Sequence, residues 1–345
     1  MTAQCVGRFF QTDGKTLQRA YKEHLSDFES WEQKDHASDW VLLEQNMGEH
    51  LSIDETMLHN DLYTFLSNKD GHGKHGTLVS AVKGTTVKEV CAQLMRIPEE
   101  QRLAVKEITM DFSDSMQGIV KQCFPNAQIV IDCFHIIQLA GKGLEEMRLK
   151  LKRAARTELK KQEREFKKKL ERRAKSRAKY AQKHKPKLSK NGKKLGRPRK
   201  RKNEKFEPKK LANGETKLDL LTHVRYPLMK SGNDWTEFQK NEMKILFELY
   251  PRMKTAYGLV CALRNIFKKK QSKKKAEIAL DKWGQNVGRT LIRELIAVRD
   301  SIKSKKEYVL NYFDNRSTNA SAESLNSKMK GFRAQVRGVA DMPFF

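Results

Sequence analysis

Alternating apolar and polar positions predict a sheet-rich region between residues 49 and 142. Short runs rich in β-branched and aromatic residues are divided by turn residues, and the later runs alternate with stretches of helical spacing. The predicted order is β-β-β-α-β-α-β, given by the segments LSIDETML, DLYTFLSN, TLVSAVKGT, TTVKEVCAQLMRIPEEQRLAV, VKEITM, DSMQGIVKQCF and AQIVIDCF. Three hairpin-linked strands followed by β-α-β units favour an α/β fold with a mixed sheet and helices on its faces.

The remainder of the chain has mainly helical spacing. Apolar residues recur at that spacing from 144 to 170, with Lys and Arg between them, which predicts a long charged helix. Pro, Gly and Asn interrupt the pattern at about 183–214, where we expect a flexible linker. Residues 215–310 are expected to be mainly helical, and short helices are predicted at about 6–17 and 16–30.

Positive charge is concentrated in one block of the chain. There are 70 Lys and Arg against 42 Asp and Glu, a net charge of +28, and 30 basic but only 6 acidic residues lie between Arg148 and Lys210. Such a block favours a polyanionic partner, and nucleic acid is the commonest. With 38% apolar residues, the chain is too hydrophobic to be wholly disordered.

Cysteine and histidine usage gives little sign of a zinc module. The five cysteines include no Cys-x-x-Cys pair, which argues against a zinc ribbon or a disulfide framework and favours a reducing, cytoplasmic setting. His72 and His75 lie among glycines in GHGKHG, which favours a hairpin turn over a metal pair. No apolar run approaches the length of a membrane span, so no membrane partner is expected.

Two segments are candidates for DNA contact. The sequence GRPRK at 196–200 resembles the core of an AT-hook, whose extended Arg-Pro-Arg fits a narrow A·T-rich minor groove. A solvated phosphate clamp explains it equally well. The second predicted N-terminal helix is basic and resembles part of a helix-turn-helix. The candidate DNA-binding residues are Arg197, Arg199, Lys200, Arg201, Gln18 and Arg19.

Two carboxylates are expected to meet in the sheet. Asp54 lies in the first strand of the 49–142 region, and Asp111 directly follows the fourth. In a sheet of this order those strands can be adjacent and parallel. Two like charges a few ångströms apart are unfavourable unless a cation lies between them, and hard divalent ions such as Mg²⁺ or Mn²⁺ prefer such ligands. The alternative for Asp111 is a role at the start of a helix, capped by Ser113 or Asp114.

A third carboxylate is predicted near the C-terminus, in NASAESLNSKMKGF. Glu323, Asn326 and Lys330 share one face of a predicted helix, whereas an apolar stripe shares another. That stripe consists of Leu325, Met329 and Phe332. The helix can therefore pack on the sheet while its polar face points along one edge. A solvated polar face on an amphipathic helix explains the same spacing.

The segments SIDE, ITMDFSDSM, IVIDCFHII and AESLNSKMKGF resemble the catalytic segments of bacterial insertion-sequence DDE transposases of the ISL-three type. The resemblance covers about residues 49–150 and 311–340. It implies a ribonuclease H-like fold with a long insertion before the last catalytic helix. It also implies two Mg²⁺ (or Mn²⁺) ions, cleavage at the element ends and strand transfer into target DNA. Carried over, the catalytic and metal-binding residues are Asp54, Asp111 and Glu323, with Asp114 as a helix cap.

The same resemblance suggests accessory residues. Asp132 and His135 form an Asp-x-x-His pair like the element of related transposase families, where the histidine would contact a phosphate or a flipped base. A structural histidine at a strand end is equally consistent. Asn326 and Lys330 are further accessory candidates.

The predicted fold class is thus a ribonuclease H-like mixed sheet interrupted by a basic, mainly helical insertion. The predicted domains are a partial helix-turn-helix, the first part of the core, the insertion and the final catalytic helix, at 1–48, 49–142, 143–310 and 311–345. The expected partners are DNA at the element ends and target, further copies of the chain in a transpososome, and a companion polypeptide that completes the helix-turn-helix. A nucleoid-associated location follows. The alternatives are a non-catalytic DNA-binding protein from a decayed transposase copy and a ribonuclease H-like nuclease.

Overall fold

A mixed six-stranded sheet is the centre of the first half of the chain. The computed structural model describes residues 3–58, 60–184, 204–335 and 341–344. The strands are β1 (Trp40–Leu42), β2 (His50–Leu58), β3 (Asp61–Asn68), β4 (Leu78–Lys83), β5 (Glu107–Met110) and β6 (Gln128–Ile131). Their order across the sheet is β1-β4-β3-β2-β5-β6. The β1–β4, β4–β3 and β3–β2 pairs are antiparallel, and the β2–β5 and β5–β6 pairs are parallel.

The helices account for most of the remaining described residues. Up to residue 184 they are α1 (Ala3–Phe9), α2 (Gly14–Ala20), α3 (Val87–Leu94), α4 (Glu99–Leu103), α5 (Asp114–Cys123) and α6 (Cys133–Lys183). From residue 204 onward they are α7 (Lys217–His223), α8 (Arg225–Met229), α9 (Glu237–Leu249), α10 (Pro251–Lys268), α11 (Lys273–Thr290), α12 (Arg293–Ser304), α13 (Lys306–Asn315) and α14 (Ala320–Gln335). None of the helices within the described ranges is long and apolar enough to cross a membrane.

The chain divides into two compact units. Unit 1 contains Met1–Leu139, Leu263–Gln285 and Arg299–Phe345, and unit 2 contains Ala140–Ala262 and Asn286–Val298. This division differs from the domain boundaries predicted from the sequence, which remain a prediction. Unit 1 carries the sheet, and unit 2 is helical in its described part.

The core of unit 1 forms around β5. All four residues of this strand are buried, because neighbouring strands flank it on both sides. Helix α13 lies against the edge strand β6, where Asn311 Nδ2 donates a hydrogen bond of 2.7 Å to the carbonyl of Ile129. This bond satisfies an acceptor on the outer edge of the sheet.

Unit 2 forms around apolar faces of short helices. Two of them begin with a capping box, in which a threonine hydroxyl and the side chain three residues later satisfy backbone amides reciprocally. Thr216 and Asp219 cap α7, and Thr236 and Gln239 cap α9. The fully buried apolar residues include Leu220, Leu221, Val224, Leu228, Met243, Leu246, Met253 and Val260.

The sequence predicted most of this architecture. All five predicted strands are present, and the turn that contains His72 and His75 does join two antiparallel strands. The strand β1 was not predicted, because three residues are too short for a recognisable alternation. The long charged helix exists but begins earlier than expected, at Cys133.

Several predicted boundaries were wrong. The first N-terminal helix ends at Phe9 rather than near 17. The second begins at Gly14 and continues only as a π-helical turn to Leu25, rather than to 30. The helix that was predicted to stop at Pro98 ends earlier, at Leu94. A short helix that was not predicted, α4, follows the proline, which cannot donate the hydrogen bond of a helix interior.

Candidate active site

Asp54 and Asp111 lie at matching positions on neighbouring parallel strands. The register pairs Ile53 of β2 with Met110 of β5. Asp54 follows Ile53 within β2, and Asp111 is the first residue after β5. The predicted juxtaposition of these two strands is therefore confirmed, and both carboxylates occur one residue beyond the last aligned pair.

Two asparagines, Asn326 in helix α14 and Asn319 directly before it, donate hydrogen bonds to these carboxylates. Asn326 Nδ2 donates a hydrogen bond of 2.5 Å to Asp54 Oδ2. Asn319, which directly precedes α14, donates through Nδ2 to Asp111 Oδ1 at 3.3 Å and to the carbonyl of Ile53 at 3.4 Å. Both asparagines are buried. The polar face of α14 is therefore partly turned toward the sheet rather than wholly solvated.

The buried environment of Asp54 changes the pKa of its side chain. Burial, together with the negative charges of Asp111 and Glu323, raises the pKa of Asp54 to about 6, against the lowering effects of the Glu55 backbone amide and His135. A carboxylate that is buried among other carboxylates is stabilised in its ionised form by a cation.

Glu323 lies at the exposed edge of this group. Its charge acts on Asp54, but its side chain is exposed to solvent. Among the described residues, the carboxylate oxygens of Asp54, Asp111 and Glu323 do not all fall within 4.8 Å of one another. Lys330 is also exposed, one helical turn beyond Asn326.

The apolar stripe predicted on α14 is only partly correct. Leu325 and Met329 are half-buried, and Met329 packs against the cluster of Leu58, Tyr63 and Phe65. Phe332, by contrast, is 53% exposed.

Asp132 joins two elements of the site. It is only 2% exposed. One carboxylate oxygen accepts a hydrogen bond from the backbone amide of Phe134 at the start of α6, and the other accepts from the amide of Asn319, each at 2.9 Å. Asp132 therefore fixes where α14 begins relative to the end of β6.

His135 lies directly against Asp111. Its Nδ1 is 3.0 Å from Asp111 Oδ1. Burial lowers the pKa of His135, but the adjacent carboxylates, chiefly Asp111, outweigh that effect and raise it overall. A protonated imidazole at this position offsets part of the negative charge of the site.

Asp114 is not the helix cap that was predicted. Ser113 caps α5, with its hydroxyl accepting from the Met116 amide. Asp114 occupies the first helical position and pairs with Lys305 Nζ at 2.7 Å. Its carboxylate is thus directed away from Asp111 and toward a lysine.

The sequence interpretation missed Asn319. The only signal for it was an asparagine directly before a predicted helix, which is a common capping position. That signal could not show that the side chain reaches two strands formed more than 200 residues earlier.

The donor set fits a hard divalent cation. Asn319 bonds to Asp111 and Asn326 bonds to Asp54, and Glu323 lies at the exposed edge of this group. The amide oxygens of the two asparagines are buried without a hydrogen-bond partner in the described part of the chain. Oxygen ligands of this kind are those that Mg²⁺ and Mn²⁺ prefer.

The structure does not test the predicted DNA-binding residues. Gln18 and Arg19 are exposed on α2. Arg197, Arg199, Lys200 and Arg201, and most of the predicted 183–214 linker, lie outside the described residues.

Comparison with known families identifies the chain. A family model described as a transposase, of the DDE ISL-three type, matches residues 51–345. The chain belongs to this transposase family. The resemblance found in the sequence motifs is therefore confirmed.

Two curated relatives are transposases of the same kind. Each is named "Transposase for insertion sequence element IS1557", one from Mycobacterium tuberculosis strain CDC 1551 / Oshkosh and one from strain ATCC 25618 / H37Rv. Each is 24% identical to this chain over 272 residues, which are 77% of this chain and 53% of the relative. The chain thus spans about half the length of the curated relatives it matches. No solved structure matches it.

Proposed function

We propose that this chain is the catalytic subunit of a DNA transposase that cuts at the ends of an insertion sequence and joins them to target DNA. The reaction would follow a two-metal DDE mechanism on a ribonuclease H-like sheet. The observation that carries the proposal is the parallel register of β2 and β5, which aligns Asp54 with Asp111 beneath the helix that bears Glu323.

Asp54, Asp111 and Glu323 would hold two Mg²⁺ or Mn²⁺ ions. When bound, such ions neutralise charge on the phosphodiester and lower the pKa of an attacking water. Asn326 fixes Asp54, and Asn319 fixes Asp111, through the hydrogen bonds described above. Glu323 reaches the site from the solvent side, so we propose that its side chain moves inward when metal and DNA are bound.

His135 and Lys330 would act on the DNA. The His135 imidazole is anchored on Asp111 through Nδ1, which leaves its other nitrogen available to donate to a phosphate oxygen. Lys330 is exposed on the same helix as Glu323 and would bind the backbone beside the scissile phosphate. The basic block between Arg148 and Lys210 would hold a longer stretch of duplex.

The test is cleavage of DNA that carries the element ends. Asp54→Asn, Asp111→Asn and Glu323→Gln should each reduce cleavage by at least about 10³-fold while DNA affinity stays within a factor of about two. Asp61→Asn, which changes a surface carboxylate of the same sheet paired with Lys83, is the matched control. Full cleavage by any of the three variants would exclude the triad.

The same assay separates the alternative functions. A decayed copy that only binds DNA would give no cleavage with wild-type protein in Mg²⁺ or Mn²⁺. A ribonuclease H-like nuclease would cut without joining. Products in which a 3′ end is covalently linked to target DNA would support the transposase proposal.

Recognition of the element ends is proposed to need further protein. Two ends must be held together for joining, so self-association in a transpososome is part of the proposal. The short N-terminal helices expose large apolar side chains, including Phe9 at 80% and Leu25 at 75%. Such exposure is typical of a surface that another protein covers. A companion helix-turn-helix polypeptide should create footprint protection at the ends; a clean footprint from this chain alone would exclude that requirement.

A further inference from the structure

Three metal-ligating side chains meet in unit 2, outside the proposed active site. One carboxylate oxygen of Glu215, one of Glu242 and an imidazole nitrogen of His223 all lie within 4.8 Å of one another. His223 Nδ1 is 3.0 Å from Glu215 Oε1 and 3.5 Å from Glu242 Oε1. The imidazole nitrogen is thus the point at which the two carboxylates converge.

The three residues come from different segments. Glu215 ends a turn that is closed by two backbone hydrogen bonds, from the Leu211 amide to the Glu215 carbonyl and from the Gly214 amide to the Leu211 carbonyl. His223 is the last residue of α7, and Glu242 lies on the buried face of α9. Asn213 Nδ2 donates to the outer oxygen of Glu215 at 3.0 Å, which orients the inner oxygen toward His223. A group bound here would therefore connect a turn and two helices.

Glu242 is the observation that points to a ligand. The residue is only 2% exposed, and its Oε1 accepts no hydrogen bond within the described part of the chain. A buried carboxylate oxygen that accepts no hydrogen bond is costly, and native proteins rarely retain one without a cation or a donor nearby. Burial raises the pKa of Glu242, the nearby Glu215 raises it further, and His223 partly offsets both.

We propose that Glu215, His223 and Glu242 bind one divalent cation of the zinc class. Ligands that are each about 2.0–2.1 Å from a tetrahedral zinc lie about 3.3 Å apart. The two distances from His223 Nδ1, 3.0 and 3.5 Å, bracket that value. One imidazole and two carboxylates form a set that suits zinc, whereas Mg²⁺ prefers oxygen ligands alone.

The site is open on one side. The His223 side chain is 51% exposed, so an ion can enter from solvent and keep water as its remaining ligand. Binding requires the Nδ1 lone pair, so the ion would lie between His223 Nδ1 and the two carboxylates. Its positive charge would offset the negative charges of Glu215 and Glu242.

The proposed ion would connect the segment that directly follows the basic block to helices α7 and α9. The block ends at Lys210, five residues before Glu215. Because Glu215 is the first ligand after the block, the ion would fix the point at which the chain returns to α7 and α9. This role does not depend on the catalytic proposal.

Zinc binding to the full chain tests the site. Protein stripped with a chelator and dialysed is titrated with Zn²⁺ against a chromophoric zinc indicator. We expect wild type to bind one more zinc per chain than Glu242→Gln or His223→Ala. Glu237→Gln is the matched control, because it removes an exposed carboxylate from the same helix and should leave zinc binding unchanged. Asn213→Ala should weaken zinc affinity about 10–100-fold.

A second readout separates this site from the proposed active site. Asp111→Asn should retain the zinc that Glu242→Gln loses, and zinc should raise the unfolding midpoint of wild type and Asp111→Asn but not of Glu242→Gln. Equal zinc stoichiometry in wild type and Glu242→Gln would overturn the proposal. Retention of this zinc by His223→Ala would overturn the three-ligand assignment.

Discussion

Asn319 connects three parts of the candidate active site. Its side chain donates to Asp111 and to the carbonyl of Ile53, and its backbone amide donates to Asp132. The residue is fully buried, so these bonds have no competition from water. Asn319 is therefore a positioning residue, which acts through the carboxylate that it orients.

We expect Asn319→Ala to reduce cleavage about 10–100-fold, as loss of a residue that orients a metal ligand commonly does. The variant should also need a higher Mn²⁺ concentration for half-maximal cleavage, which a simple loss of stability would not cause. Asn126→Ala, which removes an exposed side chain–backbone bond, is the control. Unchanged metal dependence would show that Asn319 is only structural.

Glu107 is a buried carboxylate outside the candidate active site, and it forms an ion pair with Lys69. It accepts a hydrogen bond from Lys69 Nζ at 3.0 Å, and only 4% of its side chain is exposed. Burial alone would raise the pKa of Glu107, but hydrogen bonds from Ser317, Lys69 and Asn315 and the charge of Lys69 hold that pKa below its usual value. The ionised form is therefore the one that stabilises the fold.

We expect Glu107→Gln to lower the free energy of unfolding at pH 7 by about 1–3 kcal/mol. Because the folded pKa is depressed, this contribution is present above the unfolded value of about 4.3 and is lost as pH falls through the folded value. Urea denaturation should therefore show a smaller gap between wild type and variant at acidic pH. Glu49→Gln, at an exposed pair with Lys106, should show little difference at either pH. A constant Glu107→Gln gap would contradict the assignment.

For single residues, the sequence predicted which residues belong to the candidate site better than it predicted their contacts. Asp111 was recognisable because a carboxylate at the tip of a buried strand is unusual, and the predicted strand order set Asp54 of the neighbouring strand beside it. Asn319 and the pairing of Asp114 with Lys305 were not recognisable, because they depend on contacts between residues about 190 or more positions apart. Periodicity reports the face on which a residue lies and not its partner.

Helix α14 is held by a few polar contacts rather than by a continuous apolar stripe. Asn326 bonds to Asp54, and Lys328 Nζ bonds to the carbonyl of Gly73 in the β3–β4 turn. Gly73 has a φ of 72°, and a Cβ added there would lie 2.8 Å from Ser324 Oγ. The turn and the helix therefore approach closely because Gly73 has no side chain.

We expect Gly73→Ala to destabilise the protein by about 1–2 kcal/mol, since L-residues are strained at positive φ, and to reduce cleavage by displacing α14. Gly258→Ala in α10 is the control, and we expect this substitution to stabilise the protein instead of destabilising it. No atom lies within 4 Å of its added Cβ, so the greater helix propensity of alanine should stabilise by about 0.5–1 kcal/mol. Thermal unfolding and cleavage rates measured on both variants check the contrast; equal shifts would contradict it.

Elements were predictable where the pattern was long and regular. The five strands and the long charged helix follow from alternation and helical spacing. The short helix α4 after Pro98 and the exposure of Phe332 did not follow, since local backbone chemistry and the extent of tertiary packing decide them.

The charge of the whole molecule predicts its response to salt. Most of the net charge of +28 comes from residues 148–210. Replacing 183–210 by a neutral Gly-Ser linker of equal length should weaken DNA binding. It should also reduce the slope of log affinity against log salt by about 0.9 for each phosphate that the protein no longer neutralises. Filter binding across a salt series measures the slope, and an unchanged slope would show that this block does not bind DNA.

Arg197 gives a finer test within the same block. If GRPRK enters the minor groove, Arg197→Ala should reduce the preference for A·T-rich over G·C-rich duplex. Competition binding with the two duplexes measures that preference. Equal loss of affinity for both would favour the phosphate clamp, and Lys209→Ala is the control for loss of a single charge.

The order of residues along the chain determines when each part of the candidate active site is synthesised. Asp54, Asp111 and Asp132 leave the ribosome well before Asn319 and Glu323, and at about 5–20 residues per second the interval is roughly 10–40 s. The basic block emerges within that interval. If the basic block binds DNA as proposed, a growing or prematurely terminated chain acquires that affinity before it acquires Glu323 and the asparagines that fix Asp54 and Asp111. We expect a chain that stops before residue 311 to occupy element DNA without cutting it, and so to compete with complete copies in a mixed cleavage assay.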